Sequence, residues 1–198
     1  MTDSMTHRFG ALSGVLFAVL LFASSSAHGY AALVVGIAAL ALYIPFLATL
    51  CSRLREAGGG GPLSATAYGA GLAAIVIKLV SVVPEVAERD LVKGTAAYRA
   101  FQSLGDAAFS VALFPLAILF AALAVLVLRT GALPRWLGVG AAVTAVALAV
   151  NAGFIDASFG PAFLLFLLWT LVAGVVLSVR DVRAADPAPQ ARPQPASS

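Results

Sequence analysis

Charged residues are scarce in this 198-residue chain: 11% are Asp, Glu, Lys or Arg, where a soluble domain carries about 25%. That leaves too little polar surface to cover a fold in water. Histidine is nearly absent, and its two occurrences, His7 and His28, both fall outside the apolar runs. Bis-histidine haem ligation and an intramembrane Ser–His protease therefore have nothing to work with, and a zinc site lacks its ligands. The single Cys51 excludes an intramolecular disulfide and any multi-cysteine metal site. No cofactor is expected. Basic residues never cluster in fours, nor do aromatics interleave with them, so the net charge of +3 and the pI near 9.4 do not point to nucleic acid. The basic residues read as topology signals instead.

What is present is hydrocarbon. Apolar residues make up 61% of the chain and its mean hydropathy is +1.00, which places it in a bilayer. Six apolar runs have spanning length: 9–27, 30–50, 63–83, 104–128, 137–154 and 161–179. At about 1.5 Å per residue each crosses a hydrocarbon core of about 30 Å, and the fourth has length to tilt or protrude. Six spans consume about 120 residues, so no soluble catalytic domain fits in the remainder. The expected fold class is all-α, an integral membrane bundle of six transmembrane helices. The first run also fits a signal peptide, with His7 and Arg8, the apolar stretch 11–23 and Ser25-Ser26-Ala27 as its three parts. A hairpin of the first two helices accounts for the same residues.

Orientation follows from Lys and Arg outside the spans. With the N-terminus inside, the inner side holds Arg8, Arg53, Arg55, Arg129, Arg135, Arg180, Arg183 and Arg192, and the outer side holds Arg89, Lys93 and Arg99. Eight cations against three place both termini in the cytoplasm of a plasma-membrane protein. Arg supplies ten of the twelve cations and Ala is abundant, a usage that hints at a GC-rich bacterial genome. Residues 1–179 form one transmembrane domain. Residues 180–198 carry Pro187, Pro189, Pro193 and Pro195 among Ala, Gln and Ser, cannot build a core, and are expected to be a disordered cytoplasmic tail. Short links predict antiparallel neighbours for helices one and two, four and five, and five and six. The link 53–62, with four glycines at 58–61, is expected to be flexible.

Two glycine motifs read as packing. Gly69-Ala-Gly71-Leu-Ala-Ala74 matches the dinucleotide fingerprint, but that motif follows a strand and opens a helix, whereas these residues lie inside an apolar run. Gly10 and Gly14 form a G-x-x-x-G pair suited to draw the first helix against a neighbour. Pro45 and Pro115 lie within spans and free the carbonyls of Ala41 and Val111. They read as packing kinks, with a hinge or an exposed carbonyl beside a cavity as the functional alternative.

Lys78 is the most informative residue. A cation at the centre of a span costs about 2.5–3.5 kcal/mol on insertion scales, so it should face protein or a wet cavity. Ser81 and Glu85 follow at i+3 and i+7, on the same stripe. On the fourth helix Arg99, Gln102, Ser103, Asp106 and Ser110 share a face; on the fifth, Thr144 and Asn151 share another, with Asp156 at the outer end. By the rise per residue, Lys78 lies about 9 Å below Pro84 and Asp106 about 3 Å below Leu104, a gap that a snorkelling Lys largely closes. Either Lys78 pairs with Asp106 or Glu85 to hold helix register, or Lys78, Ser81, Glu85, Asp106 and Asn151 line an outward-facing polar vestibule.

The segment Gly131-Ala132-Leu133-Pro134-Arg135-Trp136-Leu137-Gly138 is a compact inner turn. Gly131 suits the end of the fourth helix and Pro134 the first turn of the fifth, while Arg135 and Trp136 suit a phosphate-level cation and an interfacial indole. This G-x-L-P-R-W-L-G turn, after a helix with the internal proline of Phe114-Pro115-Leu116, resembles a family of uncharacterised multi-pass membrane proteins common in actinobacteria and other bacteria. The resemblance covers the six-span layout and implies a helical bacterial membrane protein; it supplies no catalytic residues.

The reading with fewest assumptions is a non-enzymatic membrane component, structural or partner-binding, whose partners are membrane lipids and another membrane protein. The alternative is a small-solute or proton-coupled transporter using the polar vestibule. A lipid-modifying enzyme would need a nucleophile, a metal or paired carboxylates at the interface, and Glu85, Glu88, Asp90 and Asp106 offer only the last.

Overall fold

The computed structural model describes residues 2–26, 30–87, 91–153 and 160–185. The chain beyond 185, His28, Glu88, Asp90 and Asp156 lie outside the described residues, as does the side chain of Glu85. The described residues form six helices and no strand: α1 (Thr2–Ser26), α2 (Tyr30–Glu56), α3 (Pro62–Ala87), α4 (Ala96–Thr130), α5 (Arg135–Gly153) and α6 (Pro161–Ala185). Five of them, α2 to α6, are long and apolar enough to cross a membrane; the apolar stretch described in α1, Phe9–Ser24, is shorter. The all-α architecture expected from run length is the one observed, because a backbone in lipid must satisfy its own hydrogen bonds and a helix does so within a single segment.

The helices outrun their apolar stretches. α3 continues through Pro84 to Ala87, α4 begins eight residues before Leu104, and α6 continues past Val179 to Ala185. Hydropathy marks where hydrocarbon ends, whereas a helix ends where its terminal backbone groups find other partners. For α4 that start is Thr95, whose hydroxyl accepts from the Tyr98 N–H at 3.3 Å. For α6, the Arg180 guanidinium donates to the Ala132 carbonyl, which ties the extension to the α4–α5 turn. Residues 180–185, at the start of the expected tail, are helical.

The α2–α3 link is also more specified than its glycines suggest. Gly58 and Gly61 take φ of +90° and +96°, a region closed to most L-residues. The Gly59 N–H donates to Leu54 O at 2.8 Å, and the Arg55 Nε–H donates to the Ser64 hydroxyl at 3.0 Å across the turn. Positive φ here closes a tight helix-to-helix turn instead of loosening a linker.

Each helix packs against its neighbours in sequence, most extensively α3 on α4, and α6 returns to α1, so the six close a circuit. α4 is the most enclosed, with 61% of its span buried against 28% for α2 and for α3. Lipid tails are as apolar as leucine, so helices associate through close van der Waals contact at small residues. The G-x-x-x-G pair does this as expected: a Cβ at Gly10 would fall 1.8 Å from Thr49 Oγ1, and one at Gly14 would fall 2.3 Å from the Phe46 ring. Gly71, from the fingerprint look-alike, seats Leu47 in the same way, at 2.3 Å. Outward faces are bare hydrocarbon; on α5, Val139, Val143, Val146 and Val150 are each 54–64% exposed. Such a stripe on a protein in water would aggregate, and in lipid it is the compatible surface.

The 131–138 turn is structural at nearly every position. Gly131 caps α4 in the left-handed region at φ 64°, its N–H donating to Val127 O at 3.0 Å. Pro134 precedes the first residue of α5 instead of entering its first turn, and its carbonyl accepts from the Leu137 N–H at 2.9 Å. Leu133 and Leu137 are buried, whereas Arg135 and Trp136 are exposed.

Candidate functional site

Aromatic side chains from four helices fill the middle of the bundle. Phe166 of α6 is the hub, with ring centroids 5.8 Å from Phe17, 5.8 Å from Tyr43, 5.7 Å from Phe120 and 5.5 Å from Phe163. Phe120 meets Trp169 at 4.9 Å, and the Trp169 indole N–H donates to Leu137 O at 2.8 Å, so α4, α5 and α6 are locked together. Most of these contacts are tilted or edge-to-face, the arrangement the ring quadrupole favours.

Above this aromatic floor, toward the end of the bundle away from both termini, lies a cavity of about 460 Å³. Volumes of about 300–1,000 Å³ are usual for small-molecule sites. Its walls come from α1, α2, α3, α4 and α6 and are almost wholly hydrocarbon: Phe17, Leu21, Leu40, Ile75, Leu113 and Leu116 are representative. Ser24 and Tyr43 add hydroxyls, and Lys78 contributes the one cation among the described lining residues. The Ser24 hydroxyl donates to its own helix at Leu21 O, 2.7 Å away.

Lys78 is half-buried, with Nζ 5.0 Å from the centroid of the Phe109 ring. A cation over an aromatic face gains about 0.5–2 kcal/mol, more as water is removed. Phe109 in turn meets Phe163 edge-to-face at 6.0 Å, so the cation is joined to the aromatic floor through two rings. The structure thus keeps Lys78 against protein, as its position in a span required, and uses α4 as the partner helix.

Of the other residues expected beside it, none lines the cavity among the described side chains. Ser81 is buried and donates to the Lys78 carbonyl at 2.7 Å. Asp106 stands one turn before Phe109 with an exposed side chain. Asn151 is half-buried on α5, a helix that contributes nothing to the cavity wall. The hydroxyls of the stripes are occupied by their own backbones: Ser103 donates to Arg99 O at 2.9 Å, Ser110 to Asp106 O at 3.1 Å and Thr144 to Gly140 O at 2.8 Å. Among the described residues, what the helices enclose is a largely apolar chamber with a cation in its wall.

Sequence reasoning passed over the aromatics that build this chamber. Their signal was the i, i+3 pairs Tyr43/Phe46 and Phe163/Phe166, which put two rings on one helix face. Comparison with protein-family models, with curated proteins and with solved structures finds no match for the chain.

Proposed function

We propose that the chain is a non-enzymatic component of a bacterial plasma membrane, with both termini in the cytoplasm, and that it works by binding another membrane protein. The closure of the chamber carries this reading. It ends on Phe17, Tyr43 and Phe166, and between those rings and the termini Leu47, Leu50, Leu54, Leu123, Val127 and Leu137 are at most 1% exposed. A carrier or channel needs polar groups at the midplane and a path onward from them, and packed leucines supply neither. Lys78 and Tyr43, the ionisable side chains of the described wall, do not make the carboxylate pair that interfacial acid–base chemistry would use. The unbroken valine face of α5 offers area to a partner helix, where association in lipid rests on packing. The excess of inner cations supports the orientation, and the preference for Arg over Lys with the likeness of the 131–138 turn supports a bacterial source.

Proteoliposomes holding the purified chain are expected to pass protons and small solutes no faster than protein-free vesicles. Flux that Lys78→Met abolishes in a folded protein would establish transport instead.

Orientation is read from single cysteines at Gly60 and Lys93 in a Cys51→Ala background. Both positions are exposed and nothing crowds Gly60. An impermeant thiol reagent added to intact cells should label the Lys93→Cys protein and spare the Gly60→Cys protein; the reverse pattern inverts the assignment.

A further inference from the structure

α1 and α6 are clamped at one end and parted at the other. Near the termini Gly174 brings the helices together, since a Cβ there would lie 3.1 Å from the Ala11 carbonyl oxygen and 3.1 Å from the Val15 side chain. Toward the opposite end the same two helices border a second space of about 620 Å³, lined by Ala18, Val19 and Phe22 of α1 and by residues of α6 from Pro161 to Leu171. Phe22, Leu164 and Leu167 line this groove and the central chamber alike. Phe22 and Leu164 are 64% and 57% exposed, so the partition between the two spaces stands at the lipid face and not in the packed core. The wall has a polarity as well. Lys78 stands nine residues from the end of α3 at Ala87, about 13 Å along the axis, while the deeper lining at Tyr43 and Leu116 is ring and hydrocarbon. A cation toward the surface with hydrocarbon beneath it matches the head-to-tail order of a lipid in one leaflet.

We propose that the chamber binds one anionic amphiphile from the surrounding leaflet, its acidic head at Lys78, its hydrocarbon chain over the aromatic floor, and its path lateral, between α1 and α6. The occupant is defined by one acidic head and one long apolar chain, a chemistry shared by a free fatty acid and by an anionic phospholipid that inserts a single acyl chain. Charge selects the head, because Lys78 is the only cation among the described lining residues. Shape selects the chain, because the described lining is almost wholly hydrocarbon and shares Phe22, Leu164 and Leu167 with the groove at the α1–α6 gap. The inference goes beyond the non-enzymatic role proposed above and depends neither on the partner protein nor on which side of the membrane the termini occupy.

The test uses the full chain purified in a non-ionic detergent and titrated separately with palmitic acid, hexadecanol, phosphatidylglycerol and phosphatidylcholine, bound ligand being counted by native mass spectrometry. One molecule per chain is expected from the acidic ligands, bound at least tenfold more tightly than the neutral or zwitterionic one of matching chain. Preference for palmitic acid over phosphatidylglycerol identifies a fatty acid as the occupant, and the reverse identifies a phospholipid. Lys78→Met should erase the preference for the acid while leaving hexadecanol binding unchanged, and Lys78→Arg should retain it. Equal binding of acidic and neutral ligands by the unmodified protein, or a preference that survives Lys78→Met, overturns the proposal. A palmitic acid analogue with a diazirine on its chain gives an independent measurement without any substitution. Adducts between Ala74 and Lys78, between Phe109 and Leu116, or along the α1–α6 groove support the site, and adducts confined to the outward valines of α5 refute it.

Discussion

Gly14→Ala should destabilise the bundle while Gly36→Ala, a chemically identical change on the facing helix, stabilises it. A Cβ at Gly14 would fall 2.3 Å from the ring of Phe46, which is 0% exposed, whereas nothing lies within 4 Å of a Cβ at Gly36. Alanine in place of a helical glycine gains up to about 1 kcal/mol. Overpacking a rigid contact costs about 1–3 kcal/mol and occasionally more. At Gly14 the buried ring cannot swing away, so α1 must back off from α2 and the upper part of that range applies. The net loss is about 2 kcal/mol, or roughly 4–8 °C in Tm for a chain of this length. At Gly36 the propensity gain stands alone and Tm rises. Thermal melts of the two purified variants in the same detergent decide it, and two shifts of the same sign would mean that α1 does not seat on α2 at this point.

Phe166→Ala is expected to cost about as much by the opposite route, an empty space. Four rings, Phe17, Tyr43, Phe120 and Phe163, approach Phe166 within 6 Å. In water such a truncation loses both transfer energy and packing; in lipid the transfer part shrinks, since tails are as apolar as the ring. What remains is the cavity term, about 24 cal/mol per Å³, so roughly 100 Å³ of missing ring amounts to about 2–3 kcal/mol. Phe114→Ala is the matched control, because Phe114 is 52% exposed on the outward face of α4 and lipid fills the space it leaves. Phe166→Ala should melt several degrees lower and Phe114→Ala within a degree or two of the parent. Equal losses would show that the aromatic hub is not where the bundle is tied together. The same truncation opens the chamber floor, so the Phe166→Ala protein should also hold longer-chained amphiphiles than the parent if the chamber is a binding site.

The candidate site was half legible in the sequence. Lys78 stood out because a cation in a 20-residue apolar run has so few places to go, and the structure lodges it against α4, the helix that the polar stripe of Arg99 to Ser110 implicated. Its aromatic contact was not foreseen. A carboxylate was sought because opposite charges are conspicuous in a sequence so poor in them. The contact that α4 makes with the ammonium is a phenylalanine, one of twelve in the chain and indistinguishable in sequence from those that face lipid. Hydroxyls on the stripes were equally ambiguous, because Ser and Thr in a helix can turn back to a carbonyl one turn earlier. Ser103, Ser110 and Thr144 all do so.

Composition and run length by themselves determined the fold class, the number of helices, their approximate bounds and the seating of α1 on a neighbour through Gly10 and Gly14. The physical reason is that a bilayer of fixed thickness leaves a long apolar run one way to satisfy its backbone, and that a missing side chain is visible in sequence wherever it allows close approach. Only the tertiary structure decided which faces turn inward, which helix sits at the centre, and that five helices enclose an apolar chamber with Lys78 in its described wall. These helices are apolar on every side, so no stripe distinguishes the face toward protein from the face toward lipid. Inside and outside were settled by how rings such as Phe17, Tyr43, Phe120 and Phe166 fit one another across helices far apart in the chain, and that complementarity has no period to read.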